Sequence, residues 1–141
     1  LKNVLSPSEV TTRNEYDLLG QLKQKKLHLE PAQDNFWQVA DYTYNIHGWL
    51  TGINALPSSG SSGLNGDLFA QEINYNEQNQ TTSIFTTGSL NGAFEPQYNG
   101  NIAATRWHTD QGVPMAYLFE YDGLNRLKQA QDLSYSSSWS L

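Results

Sequence analysis

The chain has no cysteine. That excludes a disulfide framework, a zinc-thiolate site and a thiol nucleophile, although it does not fix the compartment, because secreted proteins can lack disulfides. Charge is also scarce. Lys plus Arg number 8 and Asp plus Glu 14, for a net charge of -6, and charged residues are 16% of the chain against about 25% in an average domain. Eight scattered cations do not make the clustered basic surface that a nucleic-acid duplex requires. No apolar run approaches the ~18 residues of a membrane span. The opening Leu1-Lys2-Asn3-Val4-Leu5 has no signal-peptide apolar core, and a start on Leu rather than Met suggests an excerpt or a mature product. In place of charge there are 13 Asn, 11 Gln, 13 Ser and 10 Thr, and aromatics reach 12% with 8 Tyr and 4 Trp. This is the composition of a turn-rich β protein with wet faces. The 141 residues suit one domain, 1–141, able to bury about two-thirds of its surface if compact.

One pattern recurs three times: Tyr, Asp or Asn, two variable residues, Gly or Asn, one variable residue, Leu, then a polar residue. The copies are Tyr16-Asp17-Leu18-Leu19-Gly20-Gln21-Leu22-Lys23, Tyr44-Asn45-Ile46-His47-Gly48-Trp49-Leu50-Thr51 and Tyr121-Asp122-Gly123-Leu124-Asn125-Arg126-Leu127-Lys128. Asp17, Asn45 and Asp122 can accept from the backbone two residues on and close an Asx turn. Gly20, Gly48 and Asn125 supply the positive φ that returns the chain to an antiparallel ladder. The unit reads as a type I turn followed by a left-handed residue, a hairpin with a G1 bulge. Tyr16, Tyr44 and Tyr121 end the incoming strands, and a leucine sits early in each outgoing one.

The flanks predict strands. Val39–Tyr44 enters the second turn and Trp49–Asn54 leaves it. Met115–Tyr121 enters the third with period-two alternation. Phe69–Tyr75 and Ile102–His108 read as further strands, and Tyr98-Asn99-Gly100-Asn101 as a shorter turn. Residues 18–29 imitate a helix, but Gly20 and its turn argue for strand. Stretches near 56–66 and 76–96 read as loops, and the Ser-rich tail from 134 as a fraying end on which Tyr135 and Trp139 could dock. The expected fold class is all-β: an antiparallel, twisted sheet of about seven to ten strands in consecutive hairpins, open or a partial barrel or shell.

These units resemble YD repeats, the building block of Rhs (rearrangement hot spot) and teneurin-type proteins. Phe119–Leu127 is close to a full repeat. Asp41–Thr51, and Tyr98–Ile102 followed by Arg106-Trp107, are similar to variants in Bacteroidetes members of the family. The resemblance covers most of residues 10–132 and least of all 76–96. It implies hairpins that spiral into a hollow shell, enclosing a toxin polypeptide in bacterial members and supporting cell contact in teneurins. The family favours Arg after the turn Gly; Arg126 keeps it, while Gln21 and Trp49 replace it. The self-cleaving core of the bacterial shells, with its paired Asp-Pro and Gly motifs, has no match. With about three repeats the chain is expected to be a fragment or a diminished relative.

Catalytic signals are weak by comparison. His28, His47 and His108 lack metal-ligand spacing. Carboxylates such as Asp41 and Glu120 can be named, but nothing selects a glycosidase pair. There is no nucleophile elbow and no phosphate loop. No catalytic residue, metal site or cofactor is expected. The expected role is a non-catalytic structural module of a secreted or cell-surface, toxin-associated bacterial protein. Its expected partners are neighbouring repeats or another copy of the chain at the sheet edges, and a toxin polypeptide. The alternative is a carbohydrate-binding surface domain in which Trp37, Trp49, Trp107 and Trp139 stack on sugars; the same rings can equally serve as the packed face of a sheet.

Overall fold

The computed structural model describes residues 12–30, 35–56, 64, 66–76, 94–110, 112–135 and 139–140. They form nine strands: β1 (Thr12–Tyr16), β2 (Leu22–Glu30), β3 (Asn35–Tyr44), β4 (Leu50–Ile53), β5 (Phe69–Asn74), β6 (Ala104–Thr109), β7 (Met115–Tyr121), β8 (Leu127–Tyr135) and β9 (Trp139–Ser140). All belong to one antiparallel sheet in which spatial order equals chain order. The sheet is open, with β1 at one edge and β9 at the other. The expected all-β sheet of consecutive hairpins is the observed architecture. Among the described residues there is no helix, hence none long and apolar enough to cross a membrane. Most of the two expected loops, 57–63 with 65 and 77–93, lies outside the described residues.

Up-and-down order places the connections on two rims. One rim carries the turns at 17–21, 45–49 and 122–126, together with the long connection between β5 and β6. The region that imitates a helix is β2, because Gly20 takes φ +80° and sends Leu22 straight into a ladder with β1. β3 is shared: Asn35–Asp41 pair with β2 and Tyr42–Tyr44 with β4. β4 stops at Ile53 because Asn54 turns left-handed, at φ +54°. Its side chain then serves both neighbours, accepting from the Asp41 backbone at 2.8 Å and donating to the Phe69 carbonyl at 2.7 Å.

Most of the core lies on one face of β5–β8, with Ile73 and Thr105 also buried on the other. Register sets Gly52, Glu72, Arg106, Ala116 and Leu133 in one cross-strand row. Ala70, Ala104, Leu118 and Leu133 on that face are buried, as alternation in a half-covered sheet requires. Small residues flank a charged pair within it. Arg106, 6% exposed, donates from Nε to Glu72 Oε2 at 2.8 Å. Opposite charges directly across a strand pair attract. Burial makes the pair costly to break rather than a large net gain. On the other face Trp107 and Tyr117 lie 5.2 Å apart, and Tyr117 and Phe119 6.1 Å, forming a half-exposed aromatic ladder.

Candidate functional site

The three sequence-coded turns share one geometry. The Oδ1 of Asp17, Asn45 and Asp122 accepts from the backbone two residues on, at 2.8, 3.0 and 2.9 Å. It also accepts from the backbone four residues on, at 2.9, 3.0 and 3.0 Å. The left-handed residue donates its N–H back to the same Asp or Asn carbonyl at 3.1, 2.9 and 2.9 Å. Gly20, Gly48 and Asn125 have φ of +80°, +78° and +60°. Each hairpin shifts register by one residue immediately before its tyrosine, the bulge expected of this connection. Asp122 has an added partner: Arg126 Nε reaches its Oδ2 at 2.7 Å. The Arg126 backbone N–H, then its guanidinium, hold the Asp122 carboxyl below the usual aspartate range.

The tyrosines connect one hairpin to the next. Tyr44 donates its hydroxyl to the Leu22 carbonyl at 3.0 Å, Tyr75 to Leu50 at 3.0 Å and Tyr121 to Ile102 at 2.9 Å. The physical reason lies in the ladders. Between successive hairpins the last registered pairs are Gln24–Asp41, Gly52–Glu72 and Ala104–Leu118. Each stops three residues short of the tyrosine. Beyond that point the long phenol reaches a carbonyl that the ladder no longer serves, and an unserved carbonyl away from water is costly. Burial raises the Tyr75 and Tyr121 hydroxyls above the usual tyrosine value.

The residue after the left-handed position covers the next turn. Gln21 Nε2 lies 3.0 Å from where a Cβ on Gly48 would sit, and the Trp49 ring 3.2 Å from where one on Gly100 would sit. Trp49 also packs against Tyr75 at 5.1 Å and His47 at 4.8 Å. The row continues through Asn99 Nδ2, which donates to Asn125 Oδ1 at 2.8 Å. The ends of the row differ from its middle. Tyr16 is 61% exposed, and among the described residues nothing lies near a Cβ on Gly20. At the far end the Arg126 side chain is 73% exposed and folds back on its own turn.

The tryptophans are not gathered. Trp37 is 72% exposed and meets His28 edge-on at 5.5 Å. Trp49 belongs to the turn row and Trp107 to the aromatic ladder. Trp139 is in β9, and its side chain lies outside the described atoms. The histidines are equally dispersed: His108 is buried and donates from Nε2 to the Gly112 carbonyl at 3.0 Å. Asp41 accepts from Gln24 at 2.7 Å, and Glu120 pairs with Lys128 at 3.2 Å. Among the described residues no three His, Asp or Glu side chains come close enough to hold a metal ion. A cleft of about 350 Å³ opens between the second turn and the end of β5, lined by Tyr44, His47, Thr51, Ile73 and Tyr75 among others; these five include no carboxylate.

No family model matches the chain, and no curated protein does. The geometry of the turn row therefore carries the functional argument. Tyr75 is the member of that row that the repeat pattern above passes over. Its signal is present in Tyr75-Asn76 followed by Asn79, but Thr81 stands where the other copies have Leu. With Tyr75 and Tyr98 included, the tyrosines fall at 16, 44, 75, 98 and 121, a spacing of 23 to 31 residues.

Proposed function

We propose that the chain is a non-catalytic structural module: a length of YD-repeat-like β-wall from a secreted or cell-surface bacterial protein of the toxin-associated kind. The observation that carries this reading is the tyrosine tie, made three times in the same register between consecutive hairpins. A sheet joined this way extends by repetition, each unit contacting only its neighbours. The half-exposed ladder of Trp107, Tyr117 and Phe119 favours carbohydrate binding as a second reading, since flat aromatic faces of this kind can stack on sugar rings.

Removing the ties one at a time, with Tyr44→Phe, Tyr75→Phe and Tyr121→Phe, and probing the parent chain on a glycan array separate the two. A wall loses stability with each tie and binds no glycan. Saturable glycan binding that disappears in Trp107→Ala, with melting unchanged, would establish the second reading instead.

A further inference from the structure

The two ends of the turn row are complementary. At every internal junction one hairpin supplies a carbonyl and a covering side chain, and the next supplies a tyrosine hydroxyl. At the two covered turns, Gly48 and Gly100, the next turn also supplies a bare glycine. The β8 end has its supplying half unused. Leu127 occupies the position of Leu22 and Leu50, is 56% exposed, and accepts no tyrosine hydroxyl among the described residues. Arg126 occupies the position of Gln21 and Trp49 and covers no other turn. At the β1 end, among the described residues, the receiving half is unused: the Tyr16 hydroxyl makes no hydrogen bond and nothing lies within 4 Å of where a Cβ on Gly20 would sit.

Register carries the match further. Extending the ladders by their own pairing places Thr43 opposite Leu22, Asn74 opposite Leu50 and Glu120 opposite Ile102. At each junction the residue before the tyrosine faces the residue whose carbonyl accepts that tyrosine's hydroxyl. The same rule sets Glu15 opposite Leu127, Asn14 opposite Lys128, Arg13 opposite Gln129 and Thr12 opposite Ala130. No like charges face each other. Among the described residues the β8 edge is occupied only at Ser134 and Tyr135, by β9, so Leu127–Leu133 present an edge long enough for all of β1. Open edges of this kind are templates for another strand.

We propose that the chain assembles head to tail with a second copy of itself. β1 of one copy adds antiparallel to Leu127–Leu133 of the next, the Tyr16 hydroxyl donates to the Leu127 carbonyl, and Arg126 covers Gly20. This rests on the wall reading and names its partner. The contact is heterologous, so it continues into rings or filaments and does not close as a two-fold dimer.

The absence of native cysteine allows a clean test. A Glu15→Cys chain is mixed with a Leu127→Cys chain under mild oxidation, because directly opposed strand residues sit at disulfide distance. Covalent heterodimer is expected in several-fold excess over either homodimer. It is also expected in several-fold excess over the product of a Thr12→Cys chain with the same Leu127→Cys chain, whose positions are out of register. In parallel, sedimentation of the native chain should increase with concentration, and Tyr16→Phe should weaken association about two- to tenfold, the value of one hydrogen bond. Equal yields in all pairings, occupation of the edge by a different protein, or a folded chain that stays monomeric at every concentration would overturn the proposal. The wall reading is separable, because it is tested by the stability of the internal tyrosine variants and by glycan binding, neither of which depends on association of the chain.

Discussion

Tyr75→Phe isolates the tie from everything else its ring does. The phenyl ring stays against Trp49, 5.1 Å away, and only the hydroxyl on the Leu50 carbonyl is removed. A net hydrogen bond of this kind is worth about 0.5–1.5 kcal/mol, and stranding the carbonyl adds to that because the site is partly shielded from water. The loss expected is about 1–2 kcal/mol, or roughly 3–8 °C in melting temperature for a domain of this size. Urea titration followed by tryptophan fluorescence reads it directly, with the slope unchanged if only the native tie is lost. Tyr16→Phe, whose hydroxyl has no partner among the described residues, is the matched control and should be silent in dilute solution. A second signature is alkaline. Burial raises the Tyr75 hydroxyl above the usual tyrosine value of about 10, so the folded state keeps this proton longer than the unfolded state does. The corresponding stability is complete below pH 10 and declines as pH rises through the raised folded value. Tyr75→Phe should flatten that part of the alkaline limb. Melting within a few tenths of a kcal/mol of the parent, with the limb unaltered, would refute the reasoning.

Other perturbations probe the rest of the row and the core. Gly100→Ala should cost about 1–2 kcal/mol, since φ is +92°, a strained value for an L-residue, and the new Cβ meets Trp49 at 3.2 Å. Gly123→Ala, with open space around it, should leave melting nearly unchanged. Asn45→Ala removes the acceptor of two backbone N–H groups and should lower stability by about 1–2 kcal/mol in urea titration. Glu72→Gln strands the buried Arg106 charge and should cost about 3–5 kcal/mol, whereas Glu72→Leu combined with Arg106→Met should recover most of it; a double-mutant cycle checks both. Asp122 should titrate below the usual aspartate range in a carboxyl NMR titration. The stability it contributes is present above the ordinary aspartate value and is lost as pH falls through the lower folded one; Arg126→Ala should move its midpoint upward.

The turns were legible in the sequence because backbone geometry narrows the choice of residue there. Only a short acceptor such as Asp17 or Asn45 closes the Asx turn, and Gly or Asn is favoured where φ is positive. The strands were legible from alternation, as in Met115–Tyr121. The ties were not, because each joins residues 19 to 25 apart and exists only where a ladder stops short, a matter of sheet twist rather than local pattern. Tyr75 is hidden in the sequence for a related reason: its tie needs the tyrosine alone, whereas the repeat pattern includes a leucine beyond the turn, where this copy has Thr81. The Glu72–Arg106 pair was hidden too, since a register that sets Glu72 opposite Arg106 cannot be read from either strand by itself. The covering residues are variable by type, glutamine in one turn and tryptophan in another. What they share is position, which becomes visible only once neighbouring turns are seen side by side.

Since spatial order repeats chain order, every ladder joins strands adjacent in sequence. A tensile load applied between the first and last strands would therefore peel the sheet rather than shear it. Hairpins would detach serially from an edge, with the phenolic links acting as rivets that fail one after another. Each rupture would release a length of chain close to the tyrosine spacing, so the extension gained and the work absorbed would grow with the number of units, while the force at each step would be set by the one link then failing.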